Sequence, residues 1–119
     1  MSEPQFLQVF VTVPSRELGT SIASQLVREQ LAGCVQLVGP ILSVYRWQGQ
    51  VESGEEWLLL MKTDAATWPT LRDRVAALHP YDVPEILGVP ISEGHPPYLR
   101  WLAESLSRGD DLNRGTPSP

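Results

Sequence analysis

Cysteine is almost missing from this chain of 119 residues. Its one example, Cys34, excludes an internal disulfide and any four-cysteine zinc site. Histidine is nearly as scarce: His79 and His95 are the only imidazoles, and they form no H-x-x-x-H pair. Long apolar runs are missing too. The longest, Trp57–Met61, has five residues, against the ~20 that a membrane helix requires, so no membrane crossing is expected. Positive charge is thin, with eight arginines and the single lysine Lys62 set against 14 acidic residues. A net charge of −5 and a pI near 4.9 leave no basic footprint for nucleic acid. The opening residues Met1-Ser2-Glu3-Pro4-Gln5 have neither the basic start nor the apolar stretch of a signal peptide, which predicts a cytoplasmic protein. No P-loop, no G-x-G-x-x-G and no G-x-S-x-G is present, so the common phosphate-binding and hydrolase signatures are excluded.

What is present suits one globular domain. The chain is 42% hydrophobic and 19% charged, and its length matches a single core. Gln5–Val13 predicts a strand with Leu7, Val9, Val11 and Val13 on one face and the half-apolar set Phe6, Gln8, Phe10 and Thr12 on the other. Pro14 stops it and Ser15 caps an amphipathic helix through Leu18, Ile22 and Leu26, with Gly33 expected as its left-handed terminator. Cys34–Val38 and Ile41–Trp47 are strand-like, separated by a bulge at Gly39-Pro40. Gln48-Gly49 predicts a tight turn into a second long strand over Val51–Thr63. Trp47 and Trp57 are expected to face each other across this hairpin. A second helix carries Trp68, Leu71, Val75 and Leu78, regular only from about Thr67 because Pro69 must sit in its first turn. Glu85–Ile91 is a short edge strand, and Pro96-Pro97 open a last helix. The order strand, helix, strand, strand, helix, strand, helix gives an α+β fold, a ferredoxin-like split βαβ sheet with a long hairpin and an extra C-terminal helix. Residues 1–106 form that domain, and 107–119, rich in Gly, Pro, Asp, Asn and Ser, are expected to be a disordered tail. A sheet with an apolar second face predicts self-association.

Few residues point to chemistry. Cys34 beside Gly33 suits a buried thiol, and Glu52, Glu55 and Glu56 suit a solvated strand edge. His79 stands at a helix C-terminus, where a cation complements the dipole, and is also a candidate metal ligand. The stretch Leu78-His79-Pro80-Tyr81-Asp82-Val83-Pro84-Glu85 is different. Two prolines stiffen a loop from which four polar groups project, and this marks a candidate binding cleft as readily as a structural turn.

The segments Ala32-Gly33-Cys34-Val35, Ser43-Val44-Tyr45-Arg46-Trp47-Gln48-Gly49, Leu60-Met61-Lys62-Thr63, His79-Pro80-Tyr81-Asp82-Val83-Pro84-Glu85 and Tyr98-Leu99-Arg100-Trp101-Leu102 resemble, in order and spacing, the CutA divalent-cation tolerance family. The resemblance runs from about Leu7 to Leu106. It implies a ferredoxin-like homotrimer joined through long hairpins. It also implies a non-enzymatic role in the tolerance of divalent metal ions, and weak binding of copper or another divalent metal with no cofactor required. Carried onto this chain, the metal candidates are His79 and Cys34. Where some family members have a further cysteine and histidine, this chain has Val11 and Leu78, so a thiolate-rich copper site is not implied. The family is similar in architecture to the trimeric PII signalling proteins. The alternative is therefore a PII-like binder of a small ligand or nucleotide in clefts between subunits, with Tyr45, Lys62, Tyr81 and Glu85 at the cleft and Arg46 assisting Lys62 with the anion. An acylphosphatase-like enzyme on the same fold would need a phosphate-cradling loop that this sequence does not have.

Overall fold

The computed structural model describes residues 5–106; the tail expected at 107–119 lies outside the described residues. The elements are β1 (Phe6–Val13), α1 (Arg16–Arg28), β2 (Cys34–Trp47), β3 (Gln50–Asp64), α2 (Trp68–Leu78), β4 (Ile86–Ile91) and α3 (Pro96–Ser105). All strand pairs are antiparallel, in the order β2-β3-β1-β4. This is the expected ferredoxin-like arrangement with its additional C-terminal helix. Among the described residues no helix is long and apolar enough to cross a membrane.

Alternation along β1 explains the main core. Val9, Val11 and Val13 are fully buried, and they meet Ile22 and Leu26 of α1, Leu59 and Met61 of β3, and Leu71 and Val75 of α2. Each such side chain contributes roughly 1.5–3 kcal/mol by leaving water. The two helices are also clamped to each other outside this core. Arg74 of α2 donates from Nε and Nη2 to the two carboxylate oxygens of Glu29, each at 2.9 Å, and this holds the Glu29 carboxyl below its ordinary pKa.

Local signals place the helix ends, with one exception. Ser15 Oγ accepts the Leu18 N–H at 3.1 Å as the α1 cap. The exception is Gly33. The left-handed residue after α1 is Gln30, at φ 62°, and Leu31 N–H closes back onto the Leu26 carbonyl at 2.9 Å. Gly33 has a different reason to lack a side chain: a Cβ there would stand 2.5 Å from Leu102 of α3. At α2 the start is regular from Trp68 with Pro69 in the free first turn, as expected. The buried Asp64 prepares that start, its carboxylate accepting the Thr67 N–H at 2.9 Å. Loss of this charged acceptor in Asp64→Ala should cost about 1.5–3 kcal/mol in denaturant unfolding, and Asp64→Asn less. A variant as stable as wild type would show the bond to be dispensable.

The second sheet face is neither bare nor fully covered. At one end α3 lays Leu102 and Leu106 over Phe6, forming a small separate core with Ile91, Leu99 and Trp101. Beyond it, Val38 (47% exposed), Leu87 (56%) and Val89 (46%) stand open beside the half-buried Phe10, Leu58 and Leu60. The hairpin extends further still. β1 pairs with β3 only from Phe6↔Asp64 to Val13↔Trp57, so residues 50–56 of β3 and the facing part of β2 form a two-stranded arm. The molecule is accordingly elongated, 48 × 27 × 21 Å.

The bulge expected at Gly39-Pro40 is present. Val38 pairs with Leu58 and Ile41 with Glu56, so Gly39 and Pro40 together oppose Trp57. The Trp57 ring lies over Gly39, where a Cβ would come within 2.5 Å of it. Trp47 pairs instead with Gln50. The expectation that Trp47 and Trp57 face each other is therefore corrected: strand alternation puts them on opposite faces of β3's register.

Candidate functional site

The hairpin arm, from Glu56 at its root to Trp47 beside its turn, and the loop after α2 line a cleft of about 580 Å³. The volume lies within the usual size of a small-molecule site. The arm contributes Ser43, Val44, Tyr45 and Trp47 from β2 and Glu56 from β3. Ser43, Tyr45 and Trp47 pair with Gly54, Glu52 and Gln50, so they share the face of the even-numbered β3 residues, Glu56 among them. Val44 pairs with Ser53 and reaches the cleft from the other phase. The loop contributes Tyr81, Asp82, Val83 and Glu85, and β1 adds Thr12.

His79 anchors that loop. It is buried as the C-cap of α2, with Nε2 2.7 Å from the Thr12 carbonyl and Nδ1 accepting the Tyr81 N–H at 3.2 Å. A carbonyl can only accept, so Nε2 carries the proton and the Nδ1 lone pair accepts the Tyr81 N–H. The imidazole also packs on the Tyr81 ring, with centroids 4.6 Å apart. Tyr81 in turn ties the loop to the arm, its hydroxyl donating to Glu56 Oε2 at 2.9 Å. Burial first, then this carboxylate, with the nearby Tyr45 phenol adding to them, pushes the Tyr81 phenol up to about 12. The neutral phenol is thus favoured by folding, and its contribution to stability should be complete below about pH 10 and lost as pH rises toward 12. Ultraviolet titration should find one tyrosine ionising near 12, and Glu56→Gln should lower that value partway. Three tyrosines all ionising near 10 would contradict the contact.

The candidate residues divide between two places. Tyr45, Tyr81 and Glu85 come together at the cleft, with His79 bonded behind it. Lys62 and Cys34 lie elsewhere, paired with each other across β2 and β3. Lys62 Nζ donates to Gln36 Oε1 at 3.0 Å. Cys34 is half-buried beside Tyr98, whose phenol is raised first by burial and then by the Cys34 sulfur. Thr12 pairs with Leu58, and Lys62 follows four positions later on β3, so the two places are about 13 Å apart along the strand. His79 and Cys34 therefore do not converge within one chain. Among the described residues no three His, Cys, Asp or Glu side chains are grouped to hold a metal ion. The single chain does not present a histidine–thiolate copper site: both His79 nitrogens already have partners and the thiol is distant. Sequence reasoning assigned Glu56 to solvation and did not place Ser43 at the site. The signal that would have recovered both is the face assignment after the bulge.

Residues 7–105 match the sequence profile of the family described as "CutA1 divalent ion tolerance protein". The chain belongs to the CutA family. It is 53% identical over 97 residues to the divalent-cation tolerance protein CutA of Thermus thermophilus, covering 82% of this chain and 94% of that one. It is 47% identical over 97 residues to the chloroplastic CutA protein of Arabidopsis thaliana, covering 82% of this chain and 53% of the longer plant protein. In three dimensions it is similar to the solved Thermus thermophilus CutA1 structure, with a TM-score of 0.84, 50% identity, and coverage of 86% of this chain and 99% of that one. The CutA match takes in six of the seven elements whole and β1 from Leu7 on, so the hairpin arm and the cleft both fall within the family's extent.

Proposed function

We propose that this chain serves divalent-cation tolerance as a non-enzymatic homotrimer whose own copper contact is weak. The observation that carries the reading is the family match along residues 7–105. The trimer is supported by the apolar strip of Val38, Leu87 and Val89 and by an arm longer than one sheet can pair. Weakness follows from the geometry of His79. Copper would reach Nδ1 only after the Tyr81 N–H is released, and it would find one imidazole where Cu(II) prefers several donors.

The test combines growth and titration. A strain deleted for this protein should grow less well in graded copper, zinc and cadmium, and the wild-type chain and Cys34→Ser should restore it equally. Calorimetry with Cu(II) should return affinities no tighter than micromolar, declining on acidification as coordinating imidazole is protonated. Nanomolar copper affinity that vanishes in Cys34→Ser would replace this reading with a thiolate site.

The cleft favours a second reading, the binding of a small molecule. Its volume suits one, but a nucleotide does not fit the charges. Its lining has three carboxylates and no arginine or lysine, and Lys62 stands about 13 Å along the strand.

A further inference from the structure

We infer that the cleft between the hairpin arm and the His79–Glu85 loop is a site for a small organic ammonium ion, a cationic nitrogen carried on an apolar body. The proposal goes beyond the metal-tolerance reading and does not depend on it.

Three observations select this chemistry. The first is the pairing of rings with carboxylates. Tyr45, Trp47 and Tyr81 supply aromatic rings, and Glu56, Asp82 and Glu85 supply negative charge around the same 580 Å³. Ring faces attract a cation through their quadrupole, Trp most strongly, and the attraction grows as the site is desolvated.

The second is the absence of positive charge from the lining. Arg46 lies in sequence between Tyr45 and Trp47, but it pairs with Val51, an odd-numbered β3 residue, while Tyr45 and Trp47 pair with Glu52 and Gln50. Arg46, the one arm cation, is not among the residues that line the cleft, although both its neighbours are. An anionic ligand would meet three carboxylates and no counter-charge.

The third separates an organic cation from a bare metal. The carboxylates do not group as a metal site among the described residues, and one of them, Glu56, already accepts the Tyr81 hydroxyl. A metal ion needs several oxygens within coordination distance, whereas an extended ammonium ion can meet separated charges and fill the space between them. The Tyr81–Glu56 bond also fixes the ring and the carboxylate relative to each other before any ligand arrives, which reduces the ordering cost of binding.

Choline is the smallest convenient probe of the class, and 3,3-dimethylbutan-1-ol is its neutral counterpart of the same shape. Titrations on the full-length assembled protein, by calorimetry or ligand-observed NMR, should give saturable choline binding. The neutral alcohol should bind about tenfold more weakly or worse, the cation–ring attraction in a partly desolvated site corresponding to that ratio. Trp47→Ala and Glu85→Gln, both on exposed side chains, should each weaken choline several-fold with unchanged circular dichroism. Arg46→Ala should leave it unchanged or slightly tighter. Equal binding of the alcohol and choline would overturn the proposal, as would tighter binding of ATP than of choline. Choline affinity insensitive to Trp47→Ala would overturn it as well. A protein that restores copper tolerance in the deleted strain and binds no choline would reject this proposal and leave the metal-tolerance reading in place.

Discussion

Replacing His79 with alanine should lower unfolding stability by about 2–4 kcal/mol, since it leaves two buried or half-buried backbone groups without their partner. The Thr12 carbonyl loses the Nε2 donor at 2.7 Å, and the Tyr81 N–H loses the Nδ1 acceptor at 3.2 Å. Two further variants divide the loss. Gln can place an amide donor near the Nε2 position and so recover the Thr12 contact, whereas Asn can place an acceptor near Nδ1 and recover the Tyr81 contact. Each should fall between wild type and alanine. Denaturant midpoints at fixed protomer concentration measure this, with the slope checked for constancy. An alanine variant as stable as wild type would mean the imidazole is held in place by its neighbours rather than holding them.

The double substitution Leu87→Asp with Val89→Asp should convert the proposed trimer to monomers. Both side chains are about half exposed in the single chain, so the isolated fold loses little by their replacement. In an oligomer that covers the open sheet face, each aspartate would be a buried, unpaired charge, at a cost of several kcal/mol per site. Light scattering should therefore move from three times 13.2 kDa to a single 13.2 kDa chain. Helix and strand content by circular dichroism should be retained. A double variant that stays trimeric would place the subunit interface elsewhere, on the hairpin arm alone.

The fold was largely legible because its signals are local. Alternation in β1, the Ser15 cap, proline positions in α2 and α3, and the edge position of β4 each follow from a few neighbouring residues. Gly33 was misjudged because its reason is tertiary: the space is taken by Leu102, almost seventy positions later in the chain. The covering of Phe6 by α3 was missed for a similar reason, since helix amphipathicity says which face is buried but not against what. Of the four residues expected at a cleft, three come together in the structure and Lys62 does not. Tyr45, Tyr81 and Glu85 line one cleft because a stiff loop meets the hairpin arm, and the motif resemblance carried that information. Lys62 was grouped with them by the same resemblance. Its position four residues beyond the Thr12 partner depends on the register between β1 and β3, which no single segment encodes.

One inserted residue determines what the cleft can attract. Counting sense along β2 changes at Gly39-Pro40: before it the even-numbered residues share a side with Leu58 and Leu60, and after it the odd-numbered ones share a side with Glu56. Remove one of the two, and the arm from Ile41 to Trp47 would rotate by half a period. Arg46 would then take the phase that Tyr45 and Trp47 have now, and an acidic aromatic recess would become one with a guanidinium beside it. No side chain in the arm need be substituted for that inversion. Among relatives of this chain, a difference in length at the bulge would thus change ligand preference more sharply than a difference in composition along the arm.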